Sequence, residues 1–151
     1  MRVILQRVSS ASVRVEGEVV GAIGRGLLLL VGMERGDGVA EVEVAAAKLA
    51  GLRIFGDAEG KMNVDPAAAG AAFLVVSQFT LGASLAKGRR PSFNRAAHPG
   101  EAEPLVSHLM KVLTERGFEV AGGRFGAMME VELVNDGPVT FVLDVRDGKV
   151  L

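Results

Sequence analysis

Two short segments of this chain carry residue types that can do chemistry, Ser77-Gln78-Phe79-Thr80-Leu81 and Asn135-Asp136-Gly137-Pro138-Val139-Thr140. Each sits where a hydrophobic run meets a turn. The first ends Ala72-Phe73-Leu74-Val75-Val76, a pattern for a buried strand that delivers hydroxyl, amide and main-chain groups to its exit. Successive N–H groups at such an exit can point into a cleft, and two of them make an oxyanion hole for a tetrahedral acyl intermediate. Phe79 and Thr80 are the natural donors, and Gln78 can hydrogen-bond a polar ligand. Ser77 and Thr80 would equally serve to satisfy backbone groups at a strand terminus. A threonine nucleophile needs an adjacent base, and none is evident beside Thr80. No Gly-x-Ser-x-Gly elbow occurs either. Direct attack by water is therefore expected, not an acyl-enzyme.

The second segment contains Gly137-Pro138, and X-Pro is the one context in which a cis peptide costs little. Asn-Asp-Gly-Pro is also a good turn sequence in any protein. Arg7 interrupts an apolar alternation, so it is either a solvated edge residue or a clamp whose planar fork donates to several backbone carbonyls. Lys87, Arg89 and Arg90 beside Pro91 form the densest positive patch. Such a patch is either a solvated loop or a contact for nucleic-acid phosphates.

The elements that must position these residues can be read from periodicity. Arg2–Val8 and Ala11–Val15 read as strands, with a hairpin turn through Val15-Glu16-Gly17-Glu18-Val19 returning into Val19–Ile23. Leu27–Met33 is a central strand. Val39, Val42, Ala46 and Leu49 fall at helical spacing, with Gly51 as a stop. Leu52–Phe55 reads as a short strand, Gly56–Gly60 as a turn, Ala72–Phe79 as a buried strand and Pro91–Pro99 as loop. Leu105, Leu109, Val112 and Leu113 line one side of a helix over Glu101–Arg116 ended by Gly117. Met128–Val134 and Val139–Val145 then read as a strand pair around the Asn-Asp-Gly-Pro turn, followed by a terminal turn at Asp147-Gly148. The expected class is α+β: a β-rich single domain over residues 1–151, mostly antiparallel, packed as a sandwich or open barrel with two main helices.

Composition narrows the function. A chain of 151 residues suits one domain with one real core. Its longest apolar stretch, Gly26–Gly32, is far short of the roughly 20 residues that span a bilayer. The N-terminus alternates arginine with apolar residues, so a signal peptide is not indicated and no membrane association is expected. The absence of cysteine agrees with a cytoplasmic protein. Two histidines, His98 and His108, without cysteine leave too few soft ligands for an ordinary zinc site, so no metal is expected. Their expected role is at the surface or on a helix flank. A net charge of −1 means that any nucleic-acid contact must rest on local clustering of positive charge.

The two motifs, in this order and separation, resemble the signature of the D-aminoacyl-tRNA deacylases, also called D-tyrosyl-tRNA deacylases. The likeness spans nearly the whole chain. It extends to Leu5-Gln6-Arg7-Val8, Gly60-Lys61-Met62-Asn63, Lys87-Gly88-Arg89-Arg90-Pro91-Ser92-Phe93, and Phe125-Gly126-Ala127 with Met129. The resemblance implies hydrolysis of the ester between a D-amino acid and the terminal adenosine of tRNA, as chiral proofreading in translation. It implies no metal or organic cofactor, and assistance from the substrate's own 2′-hydroxyl. It further implies a homodimer in which a Gly-cis-Pro dipeptide, here Gly137-Pro138, enters the partner's active site and sets chirality. Arg7 and Asn135 would support that turn, Ser77, Gln78, Phe79 and Thr80 would form the catalytic segment, and Phe125 and Met129 would line the pocket. Lys87, Arg89 and Arg90 would meet the tRNA backbone. Glycyl-tRNA is a further expected substrate. Gly82 departs from the family, which usually has an aromatic there, and Met128 stands where an acidic or polar residue is common. The rival reading is a non-catalytic tRNA-binding or editing-like module of the same fold.

Overall fold

Strand β1 (Arg2–Val15) is the spine of the molecule, and its alternation explains how one sheet serves two cores. The computed structural model describes all residues from Met1 to Leu151. Val3 and Leu5 join a large core beneath the helices, whereas Val8, Ala11 and Val13 join a second, smaller core. Side chains alternate with period two, so Val8 and Ala11 share a face only if the parity slips between them. The ladder to the neighbouring strand shifts there, between Val8 and Ser10. This bulge bends the strand and re-aims every following side chain. The expected two strands are thus one strand, kinked between them.

β2 (Glu18–Ile23) returns along the second half of β1, and β3 (Gly26–Gly32) pairs with the first half. Helix α1 (Val39–Gly51) follows, then the small hairpin of β4 (Phe55–Gly56) and β5 (Met62–Val64). β6 (Ala72–Ser77) runs parallel to β3, and the consecutive apolar residues of both are buried on both faces. Leu27, Leu29, Val31, Phe73 and Val75 face the helices; Leu28, Ala72, Leu74 and Val76 face the second core. Helix α2 (Pro99–Glu115) buries Val106, Leu109, Val112 and Leu113, and β7 (Val120–Gly122) adds a parallel edge to β6. β8 (Glu130–Arg146) and β9 (Lys149–Val150) complete the chain.

The sheet order is β7-β6-β3-β1-β8-β9, with β2 also paired to β1. It curls so far that β2 approaches β7: a Cβ on Gly21 would stand 2.3 Å from the carbonyl oxygen of Gly122. The architecture is α+β, a half-barrel of mixed strands backed by two helices. Most pairs are antiparallel, as expected, with parallel pairs at β3–β6 and β6–β7.

Two expected elements are corrected. The segments flanking Asn-Asp-Gly-Pro do not form a hairpin. Both belong to β8, which stays paired to β1 from Glu130 opposite Arg14 to Asp144 opposite Arg2. Asn135 lies opposite Val8 and Thr140 opposite Gln6, so Asp136–Val139 loop out as an enlarged bulge facing Arg7. Proline cannot donate to a ladder, and a bulge is where a strand tolerates it. The Ala72–Phe79 strand is also shorter than expected. Its pairing stops at Ser77 opposite Val31, and Phe79–Gly82 form one turn of 3-10 helix.

Candidate active site

The Gly-Pro bulge is exposed yet held from several sides. Arg7 is only 14% exposed at its side chain. Its Nε donates to the Asp136 carbonyl at 2.9 Å and its Nη1 to the Ile54 carbonyl at 2.6 Å. Of the two readings of Arg7, the structure therefore has the clamp. Asn135 closes the loop: its Oδ1 accepts from the Val139 N–H at 2.7 Å, and its Nδ2 donates to Thr140 Oγ1 at 3.1 Å. Gln6 Nε2 donates to the same hydroxyl at 3.2 Å. The Gly137–Pro138 peptide is cis, and Gly137 has φ +150°. A Cβ at Gly137 would stand 2.7 Å from the Val139 nitrogen, so position 137 has room only for glycine.

The Ser77–Leu81 segment lies three strands away, where β6 ends. Leu81 N–H donates to the Gln78 carbonyl at 3.2 Å, the first bond of the 3-10 turn. The N–H groups of Phe79 and Thr80 precede that bond, where a helical turn has no acceptor of its own to offer. Gln78 Nε2 donates to Thr80 Oγ1 at 2.6 Å, and no titratable group is hydrogen-bonded to this hydroxyl. Phe79 is 59% exposed, and its ring packs against Phe93 with centroids 5.1 Å apart. Gly82 is buried, and a Cβ there would meet the Ala96 backbone at 3.2 Å. The departure at Gly82 thus matches a return loop that lies tightly over the turn. Met128 is 91% exposed and touches neither core.

Ser77 and Phe125 share a cleft of about 280 Å³ between β6 and α2, with Val106, Met110 and Gly123 on its walls. Met129 does not line it. Its sulfur lies against Gly123 from the side of the second core, where any Cβ on Gly123 would stand 2.5 Å away. Glu103, Ser107 and Arg124 bring polar groups to this cleft and were not legible in the sequence. Their only signal was the glycine pair Gly122-Gly123 beside Phe125, marking a close approach.

Lys87, Arg89 and Arg90 ride at the tip of an exposed loop closed by a two-bond bridge between Ser84 and Ser92, and none makes an ion pair. His108 Nε2 meets Glu43 at 2.8 Å, joining α2 to α1, and His98 precedes the first turn of α2. Neither is bonded to the two motifs.

Within one chain the motifs do not meet. Ser77, Val31, Val3 and Leu143 form a row across four adjacent strands, and Arg7, facing the bulge, lies four residues along β1 from Val3. Three strand spacings of about 4.8 Å and a rise of roughly 13 Å along β1 put the motifs on the order of 20 Å apart.

A model of the D-Tyr-tRNA(Tyr) deacylase family matches residues 4–144. The chain belongs to this family. Its relatives include a D-aminoacyl-tRNA deacylase of Syntrophotalea carbinolica, 56% identical over 144 residues and covering 95% of this chain and 97% of that protein. Another, from Aeromonas hydrophila, is 54% identical and covers 96% of this chain and all of that protein. Among solved structures, the c-Myc DNA Unwinding Element Binding Protein superimposes with a TM-score of 0.90 at 37% identity, covering 97% of this chain and 99% of that one. A probable eukaryotic D-amino acid tRNA deacylase has a TM-score of 0.83 at 18% identity, covering 95% and 98%, which shows the shared fold. No helix is long and apolar enough to cross a membrane.

Proposed function

We propose that residues 1–151 act as one cytoplasmic deacylase domain, a homodimer that hydrolyses the ester of D-aminoacyl-tRNA and of mischarged glycyl-tRNA. The observation that carries this reading is that both motifs stand exposed and pre-shaped in one chain, but on the order of 20 Å apart. A site that uses both needs a second copy. The outer edge of β8 fits such a contact. It is paired only at Val145 and Arg146, and it presents Val134, Phe141 and Val142 to solvent. Unpaired apolar strand edges are rarely left open.

In the dimer, the ester carbonyl lies against the Phe79 and Thr80 N–H groups of one subunit. Water adds to the carbonyl carbon, and the developing oxyanion is stabilised by these donors. Collapse breaks the bond to the ribose oxygen, which takes up a proton, leaving free amino acid and tRNA. The Ser77 and Phe125 cleft receives the substrate end, with Gln78 at its rim and Met129 backing Gly123. The partner's Gly-Pro bulge presents its carbonyls to the face of the α-carbon where an L side chain would project. Exclusion of that kind admits varied D residues and glycine, and it discriminates more strongly than the roughly 1–3 kcal/mol of a hydrophobic contact.

The test is deacylation of D-tyrosyl-, D-alanyl-, glycyl- and L-alanyl-tRNA, with sedimentation to fix the oligomeric state. Turnover of the first three by a dimer is expected. Efficient cleavage of L-alanyl-tRNA, or a fully active monomer, would refute the account. Tight tRNA binding without any turnover would favour the non-catalytic reading.

A further inference from the structure

Beside the Phe79 turn lies a second cleft, of about 360 Å³, lined by Glu34, Arg35, Asn94, Arg95 and Arg146 without one hydrophobic residue. Its lining carries three guanidinium groups against one carboxylate. Glu34 is the organiser. Its side chain is 11% exposed, and it accepts from Arg95 Nη2 at 2.7 and 2.9 Å and from Arg146 Nη2 at 3.3 Å. Burial pushes its carboxyl upward, but the hydrogen bond and charge of Arg95, with the N-terminal ammonium and Arg146, hold it below the usual range. Glu34 is therefore ionised and fixes two guanidinium groups, each of which has donors left over. Arg95 and Arg146 use only Nη2 within the chain, and the Arg35 side chain has no hydrogen-bond partner.

We propose that this cleft is a phosphodiester-binding subsite that grips the tRNA backbone, in line with the Lys87–Arg90 loop. The inference rests on the deacylase reading and extends its footprint. Three observations support it. A cleft with no apolar wall suits a solvated anion, and forked guanidinium donors match phosphate oxygens. Residues 83–98 form a single loop that carries Lys87, Arg89 and Arg90 at its tip and Asn94 and Arg95 at its base, with no carboxylate in it. That loop is also tied to the reaction end of the sheet: Ala96 bridges Glu34, Ala97 N–H donates to the Met33 carbonyl at 3.0 Å, and Phe93 packs on Phe79. A phosphate held here is thus placed relative to the ester by the same segment that covers the Phe79 turn.

Arg35→Gln combined with Arg146→Gln tests this while leaving Arg95 to hold Glu34. Binding of uncharged tRNA across a salt series is the first readout, and kcat and KM on D-tyrosyl-tRNA and on D-tyrosyl-adenosine, which lacks the backbone, are the second. We expect Kd and KM for tRNA to rise about tenfold near 0.1 M salt. The slope of log affinity against log salt should fall by about 0.7–0.9 for each phosphate that is no longer neutralised. Turnover at saturation and cleavage of D-tyrosyl-adenosine should be unchanged. An unaltered Kd and slope would overturn the proposal, as would equal loss on the adenosine substrate or a change in oligomeric state, which would make the cleft a subunit contact. If the double variant fails to fold, Arg35→Gln alone carries the measurement, because its side chain has no hydrogen bond to lose. A wild-type protein that binds tRNA but never deacylates it would sink the deacylase reading, and the salt slope would still decide the phosphate site.

Discussion

Arg7→Met is the perturbation that most directly tests whether the bulge must be held in place. The substitution keeps much of the side chain's length and removes two hydrogen bonds, to the Asp136 carbonyl at 2.9 Å and the Ile54 carbonyl at 2.6 Å. Bonds from a charged donor contribute about 1.5–3 kcal/mol each, and truncation leaves their acceptors without a partner. Because Ile54 is buried, its carbonyl has little water to turn to. A net loss of about 2–4 kcal/mol follows, which lowers Tm by roughly 5–15 °C in a chain of this size. The bulge should lose more than the global fold, since Asp136, Gly137 and Pro138 are exposed and have few other anchors. With tenfold for every 1.4 kcal/mol, kcat/KM on D-tyrosyl-tRNA should fall by roughly 25- to 700-fold at a temperature where the variant is still folded. Arg7→Lys keeps the charge but lacks the fork, so it should lie between the two. The assay is D-tyrosyl-tRNA deacylation paired with a thermal melt. A folded Arg7→Met protein with wild-type kcat/KM would refute the clamp.

Three other outcomes follow from the same geometry. Thr80→Ala should keep kcat within about tenfold, because the main-chain N–H survives and Thr80 Oγ1 meets only Gln78 within the chain; near-complete loss in a folded variant, or a trapped acyl-Thr80, would require a nucleophile. Replacing Lys87, Arg89 and Arg90 with alanine should weaken tRNA binding and flatten its salt dependence by about 0.7–0.9 per phosphate released, with little change in saturated turnover; an unchanged slope would free this loop from tRNA. The fold should weaken in acid. Glu41 is held below the usual carboxylate range chiefly by the N–H groups of Gly38 and Gly148, and Asp144 by its hydrogen bond to Arg2. A depressed folded pKa stabilises above the unfolded value of about 4 and ceases to do so as pH falls through the folded value. Glu41→Gln should therefore be less stable than wild type at pH 7, and the gap in urea melts should narrow as pH falls below the unfolded value of about 4. A gap that stays constant over that range would contradict this assignment.

The motifs were legible through their order and separation, which carry the family resemblance, since each alone is ordinary at a strand end or turn; the helices were legible because α1 and α2 keep apolar residues at helical spacing. What the sequence hid is what depends on register. Asn-Asp-Gly-Pro has the local chemistry of a hairpin turn, and nothing in its immediate neighbourhood says otherwise. The deciding fact is that β1 is long enough to pair with both flanks, Val8 with Asn135 and Gln6 with Thr140. β7 is three residues long, too short to show a period. The Glu34–Arg95 pair joins residues 61 apart through a loop, and no pattern in either neighbourhood announces it.

A site built from backbone moves its demands from reacting side chains to supporting ones. The groups proposed to act on the ester carbonyl and the α-carbon are the amides of Phe79 and Thr80 and the carbonyls of the bulge, which almost any residue could supply. Their placement is not so permissive. At Gly32 a Cβ would stand 2.8 Å from Leu81 Cβ and 2.9 Å from the Gln78 carbonyl oxygen, so a larger residue would push the Phe79 turn off the end of β3. At Gly137 the obstacle is Val139, whose N–H is itself held by Asn135. Arg7 completes the set by tying the bulge to the β4 region through Ile54. Sensitivity to substitution should accordingly fall on Gly32, Gly137, Asn135 and Arg7, none of which has an ordinary catalytic side-chain role. Thr80, whose hydroxyl looks most like a nucleophile, should tolerate change best, and this inverted pattern is what a side-chain mechanism could not produce.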